Sequence, residues 1–202
     1  MPSVMERRIL IVGAPGAGKT TLAELLSARL SIPRYPLDPV AYVDEYWTSR
    51  PLGERQRMIA EIAAQPRWVA EGGHLDWTAP LFAAANVIIW LDPPWWTLLW
   101  RATLRRLRRW RARRSLRIGP RDLRALWEED WLFVGRYYWQ GYHPGMNLDI
   151  GRNLSRAATA RELAPYATKA RRSRASRLDG KRLECLIAEL SADDLRQPRE
   201  AN

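Results

Sequence analysis

Apolar residues along the first half of the chain fall alternately into short unbroken runs and helix-spaced sets. Ile9, Leu10, Ile11 and Val12 form a run rich in β-branched residues, the pattern of a strand buried on both faces. Leu22, Leu25, Leu26 and Leu30 follow at helical spacing. Ile32 to Asp38 reads as a short second strand, and residues 52–65 as a helix with Leu52, Met58, Ile59 and Ile62 on its apolar side. Pro66 stops that helix, Arg67 to Glu71 forms a third strand, and Gly72-Gly73 ends it. A short helix closes at Leu81–Ala85, and Asn86 to Leu91 is a fourth, almost wholly apolar strand. Pro93-Pro94 suits a helix entry, where a missing N–H costs nothing. The next helix is predicted from about Trp95 to Arg113, with Trp96, Leu99, Trp100, Thr103, Leu104 and Leu107 inward. Strands alternating with helices in this way predict an α/β fold with a parallel sheet.

The first strand and first helix are joined by Gly13, Ala14, Pro15, Gly16, Ala17, Gly18, Lys19 and Thr20, followed by Thr21. This segment fits G-x-x-x-x-G-K-[ST] at every fixed position, in the strand–loop–helix context that gives the motif meaning. Glycines let the backbone wrap its N–H groups around a phosphate, and the helix start adds further N–H groups and its positive dipole end. Lys19 is placed to reach the β- and γ-phosphates of a nucleotide, and the Thr20 hydroxyl to ligate Mg²⁺. The chain uses only three lysines among 33 basic residues, yet keeps one at this position.

Ligands of open parallel sheets gather at the carboxyl ends of the strands. Asp38, at the end of the second strand, is positioned to meet a phosphoryl acceptor; the alternative is a turn aspartate before Pro39. Glu71, at the end of the third, is the candidate for a second, water-mediated Mg²⁺ contact, with a purely structural acid as its alternative. Tyr42, Tyr46 and Trp47 could wall an acceptor pocket or simply cluster over a helix, and His74 touches the acceptor or is a loop histidine without a role. On the helix after the fourth strand, Arg101, Arg105, Arg108 and Arg109 form a cationic flank. Fixed guanidinium groups there would stabilise the charge of a transferring phosphoryl group, or else form a solvent-facing basic helix.

Gly119-Pro120 breaks that helix, and residues 121–139 form an aromatic helical stretch. Residues 140–153 are a Gly- and Asn-containing loop able to fold over a nucleotide. Residues 155–168 read as helical and 183–190 as a final helix before a tail. A fifth strand is expected within 169–182, but no β-branched run marks it. No internal repeat appears, and residues 1–202 are expected to form one domain.

A formal charge of +11 raises nucleic acid as a partner. Residues 101–124 hold eleven arginines against one acid, and residues 169–182 seven bases against Asp179. Such patches equally serve phosphate substrates or solvation. Most of the eleven tryptophans sit among apolar neighbours, as core residues do. The single cysteine, Cys185, suits a reducing cytosol, the first strand starts too early for a signal peptide, and no stretch reads as a membrane span. A cytoplasmic location is expected.

The chain resembles the adenylate-kinase-like branch of P-loop kinases, and more closely the bacterial proteins described as DNA topology modulation proteins, which share that fold. The carrying segments are Gly13–Thr21, Leu37-Asp38, Trp68-Val69-Ala70-Glu71-Gly72, Leu91-Asp92-Pro93-Pro94, and Trp100-Arg101 with Arg105-Arg106, within about residues 7–110. The resemblance implies a P-loop NTPase three-layer α/β/α fold, a five-stranded parallel sheet in the order 2-3-1-4-5, and a helical arginine-bearing lid over about residues 101–153. It further implies ATP and Mg²⁺, with a small-molecule or nucleotide acceptor. The chain departs from the family pattern in having Glu71 in place of an aspartate, no asparagine near Gly73, and an irregular basic segment (169–202) where the last strand belongs. The family name describes a phenotype and fixes no substrate. A nucleotide-dependent nucleic-acid-binding regulator and a nucleotide binder without kinase activity are the competing readings.

Overall fold

A computed structural model describes residues 6–44, 48–75, 77–112 and 155–173, with a few separate positions including Val134 and Tyr137. Its centre is a five-stranded sheet of β1 (Arg7–Gly13), β2 (Arg34–Pro36), β3 (Arg67–Gly72), β4 (Val87–Leu91) and β5 (Ala170–Ser173), all parallel, in the order β2-β3-β1-β4-β5. The order expected from the resemblance is therefore the order observed.

The period-two alternation of the strands divides the core. Ile9, Ile11, Val69, Ile89 and Leu91 face one side, where α1 (Lys19–Leu30) supplies Leu22 and Leu26. Leu10, Val12, Trp68, Ala70, Ile88 and Trp90 face the other. There they meet Val40 of α2 (Asp38–Ala41), Ile59 and Ile62 of α3 (Leu52–Ala64), and Leu81 and Phe82 of α4 (Ala79–Ala84). Three layers result, with the central strands covered on both faces.

Strand β5 lies inside the basic stretch that carries no strand signal. Its sequence, Ala-Arg-Arg-Ser, has low β-propensity, and its place comes from pairing with β4 in the register Ile88↔Ala170 to Leu91↔Ser173. Asp92, just past β4, is buried and anchors this edge. Arg156, at the start of α6 (Arg156–Leu163), donates from Nε to both its oxygens at 3.1 Å, and Arg172 of β5 donates from Nε at 3.0 Å. The Arg172 guanidinium also lies 4.3 Å from the Trp90 ring centroid.

Helix α5 (Trp95–Ala112) is rotated relative to the expected one. Leu98 and Leu99 are buried, whereas Trp96 and Trp100 are 59% and 65% exposed. At 3.6 residues per turn, Trp96 and Trp100 lie about 160° around the axis from Leu98. The face shared by Leu98, Arg101 and Arg105 is the one laid on the loop after β1. Trp68, Trp77 and Trp90 do belong to the core. Val134 and Tyr137 are helical and buried, but nearly all of the proposed lid and aromatic stretch beyond residue 112, Tyr46, Trp47, and nearly all of the last helix and tail lie outside the described residues.

Candidate active site

The loop between β1 and α1 is shaped by its glycines. Gly16 and Gly18 hold φ of 86° and 101°, left-handed values that favour glycine. The loop closes on itself through Ala17 N–H to Ala14 O at 3.0 Å. The first bond of α1 runs from Leu22 N–H to Gly18 O, so the amides of Lys19, Thr20 and Thr21 have no helical carbonyl one turn back. These amides and the dipole end together form a ready anion site.

Lys19 rests across the loop, its Nζ donating to Ala14 O at 3.1 Å. Burial pushes its pKa down, and the nearby Arg105 charge adds to that; Glu71 and Asp38 oppose it. A desolvated ammonium held only by a carbonyl gains most from an arriving polyphosphate.

Glu71 is buried at the end of β3, on the same side of the sheet as Val69 and hence as α1. The Thr20 hydroxyl donates to its Oε1 at 3.0 Å. A hydroxyl and a carboxylate this close at the mouth of the loop are hard oxygen donors of the kind Mg²⁺ takes, the ion keeping several waters. Among the described residues no three His, Cys, Asp or Glu side chains gather as a metal site, here or elsewhere.

Helix α5 lies across the loop. Arg101 donates from Nη1 to Gly16 O and Ala17 O, both at 3.1 Å. Arg105 Nη2 lies 3.4 Å from the position a Cβ on Gly16 would occupy. Arg108 is exposed, and the side chains of Arg106 and Arg109 lie outside the described ones.

Asp38 opens α2, two residues after the end of β2, its side chain 66% exposed. His74 lies beneath it, with Nε2 3.2 Å from Asp38 Oδ1, an arrangement that needs the proton on that nitrogen. This hydrogen bond, with the His74 and Lys19 charges, holds the Asp38 carboxyl below its ordinary range despite some burial. His74 is itself buried, 4.9 Å from the Trp77 ring and 6.1 Å from the Tyr42 ring, centroid to centroid. The loop histidine is thus a support for Asp38. Sequence reasoning missed Trp77 and Arg55, which packs over it; the helical spacing 55, 59, 62 was the available signal.

No protein-family model matches the chain. An uncharacterized protein of Bacillus subtilis, YqaC, is 27% identical over 91 residues, 45% of this chain. The chain spans about half the length of that relative. Among solved structures, a gluconokinase from Sinorhizobium meliloti aligns over 95% of both chains with a TM-score of 0.52 at 12% identity. A shikimate kinase from Acinetobacter baumannii, in complex with shikimate, aligns over 94% of this chain and 96% of its own, with a TM-score of 0.50 at 14% identity. At such identities the likeness is one of fold, and the fold is that of P-loop kinases. These relatives do not carry the resemblance to DNA topology modulation proteins.

Proposed function

We propose that the protein transfers the γ-phosphoryl group of ATP to a hydroxyl of a small-molecule or nucleotide acceptor. The observation that carries this reading is convergence: Lys19, Thr20 with Glu71, and Arg101 with Arg105 come from three parts of the fold to one loop, and the Asp38 carboxylate is near enough for its charge to act on Lys19.

In this reading the amides after Gly18 and the Lys19 ammonium bind the polyphosphate, while Asp38 faces the acceptor hydroxyl. Asp38 accepts the hydroxyl proton as the oxygen attacks the γ-phosphorus, and the bond to the β,γ-bridging oxygen breaks to release ADP. His74 keeps Asp38 ionised and aimed. Lys19 and Arg105 offer fixed positive charge where the equatorial oxygens gather negative charge. Arg101, bonded to two loop carbonyls, holds the loop's shape. Thr20 and, through water, Glu71 are the residues that would hold Mg²⁺, which would supply charge neutralisation to the polyphosphate.

Arg101 and Arg105 lie against the loop, which favours this reading over a nucleic-acid-binding regulator. The test is an acceptor screen with ATP and Mg²⁺, scored by product mass, in wild type and Lys19→Ala. Turnover with at least one acceptor, falling by several orders of magnitude in the variant, is expected. Equal turnover in both would refute the assignment.

A further inference from the structure

Helix α5 carries an apolar strip that the sheet does not cover. Trp96 and Trp100, one turn apart, are 59% and 65% exposed, the two most exposed large apolar side chains among the described residues. Single exposed apolar residues need no explanation, but neighbours on one face do. Half-buried Leu104 and Leu107 lie within about 80° of Trp96 around the axis, so the strip runs on for about three turns. The Trp95 ring, packed against the core, meets the Trp96 ring edge-on at 5.7 Å, centroid to centroid, and steadies it.

The border of the strip is cationic. Helix α5 contains six arginines and no acid. Exposed Arg108 lies about 40° beyond Leu104 around the axis, with Arg101 and Arg105 further round on the side laid against the loop. Packing α5 on its own copy would set like charges together with no acid to relieve them. Single-stranded nucleic acid needs aromatic platforms beside cations that follow its phosphates; here the two rings give way to leucines, and Arg101 and Arg105 turn to the loop. The surface of a bilayer holding anionic lipid suits both features. Indoles settle at headgroup level, leucines meet the acyl chains, and arginines reach the headgroup phosphates. A formal net charge of +11 adds attraction at longer range.

We propose that the Trp96–Trp100 face of α5 docks the protein on the surface of an anionic bilayer. No helix among the described residues is long and apolar enough to cross a membrane, so the attachment is peripheral. The strip and the loop-facing arginines are about 120° apart around α5, so the docked protein keeps its phosphate loop open to solvent. The docking face does not depend on the phosphoryl-transfer reading.

The experiment uses the full chain as wild type, as the double variant Trp96→Ser/Trp100→Ser, and as Arg108→Glu. Each is sedimented with vesicles of phosphatidylglycerol and phosphatidylcholine in equal parts, and with vesicles of phosphatidylcholine alone, while tryptophan emission is recorded. Wild type is expected to sediment with the anionic vesicles, its emission moving to shorter wavelength, and to bind the neutral ones far more weakly. The double variant should partition on the order of 100-fold less and lose the emission shift, because the buried apolar area goes with the indoles. Arg108→Glu should partition about 10-fold less, and added salt should weaken wild-type binding. Both variants should melt close to the wild-type temperature. A double variant melting several degrees lower would mean that the strip is packed within the protein, and overturn the proposal. So would wild type that fails to sediment, or equal partition by wild type and the double variant. Tighter, tryptophan-dependent binding to a single-stranded oligonucleotide than to the vesicles, or a wild-type dimer that the double variant abolishes, would name another partner and overturn it as well.

Discussion

Gly13 is the residue at which fold and site are most tightly joined. It ends β1, pairs with Leu91 of β4, and opens the phosphate loop with φ at 149°. A Cβ built there stands 2.4 Å from Leu91 O, 3.3 Å from its carbonyl carbon and 3.4 Å from its Cβ. The nearest atom is backbone, so no rotamer change relieves the contact; β1 and β4 must separate where they are buried on both faces. Gly13→Ala therefore combines a backbone conformation that disfavours side chains, about 1–3 kcal/mol, with overpacking of about 1–3 kcal/mol. A loss near 4 kcal/mol is a large part of the 5–15 kcal/mol typical of a domain. Gly53→Ala is the matched control. Gly53 lies in α3 with nothing within 4 Å of its built Cβ, so the same added methyl should stabilise by about 0.5–1 kcal/mol. Urea denaturation of the two variants should move in opposite directions, and the residual folded Gly13→Ala protein should bind ATP weakly. A Gly13→Ala midpoint within about 1 kcal/mol of wild type would refute the reasoning.

Three further outcomes follow from the site and its supports. Asp92→Asn keeps the shape but leaves Arg156 and Arg172 without their shared anion, and should lower stability by about 2–3 kcal/mol in urea titrations, the partners' exposure moderating the loss. Glu71→Gln should raise the Mg²⁺ concentration needed for half-maximal ATP turnover by about 10–100-fold, with ADP binding in the absence of Mg²⁺ little changed. His74→Gln removes the chief cause of the depressed Asp38 pKa, so that pKa rises towards the ordinary carboxylate range. A depressed carboxylate contributes stability above its unfolded pKa and loses it as pH falls through the folded one. The acid limb of kcat/KM should therefore move to higher pH in His74→Gln, while the part of the acid loss of stability that comes from Asp38 should shrink, the variant being less stable than wild type above the carboxylate range and closer to it in acid.

What the sequence made readable were the segments in which one local requirement dominates. The β1–loop–α1 unit was plain because phosphate wrapping demands glycines and a lysine at fixed spacing, and β3 and β4 because strands buried on both faces are continuously apolar. Strand order came through family resemblance, since local pattern does not encode which strands pair. Strand β5 was illegible for a physical reason: an Ala-Arg-Arg-Ser edge is held by the β4 ladder, Asp92 and the Trp90 ring, all remote in sequence. In α5 the apolar pattern points Trp96 and Trp100 inward with Leu99, but of these only Leu99 is buried, and the face of Leu98, Arg101 and Arg105 is the one that meets the loop. His74 was legible only in part and Arg55 not at all, since a buried polar side chain looks in sequence like any surface one until its neighbours from Asp38 to Trp77 are assembled.

Calorimetric titration of AMP-PNP with Mg²⁺ into wild type and Lys19→Ala tests the phosphate-loop assignment most directly. Saturable one-to-one binding by wild type, weakened by on the order of 100-fold in the variant, is predicted. Identical affinities, or no heat from wild type at millimolar nucleotide, would contradict it.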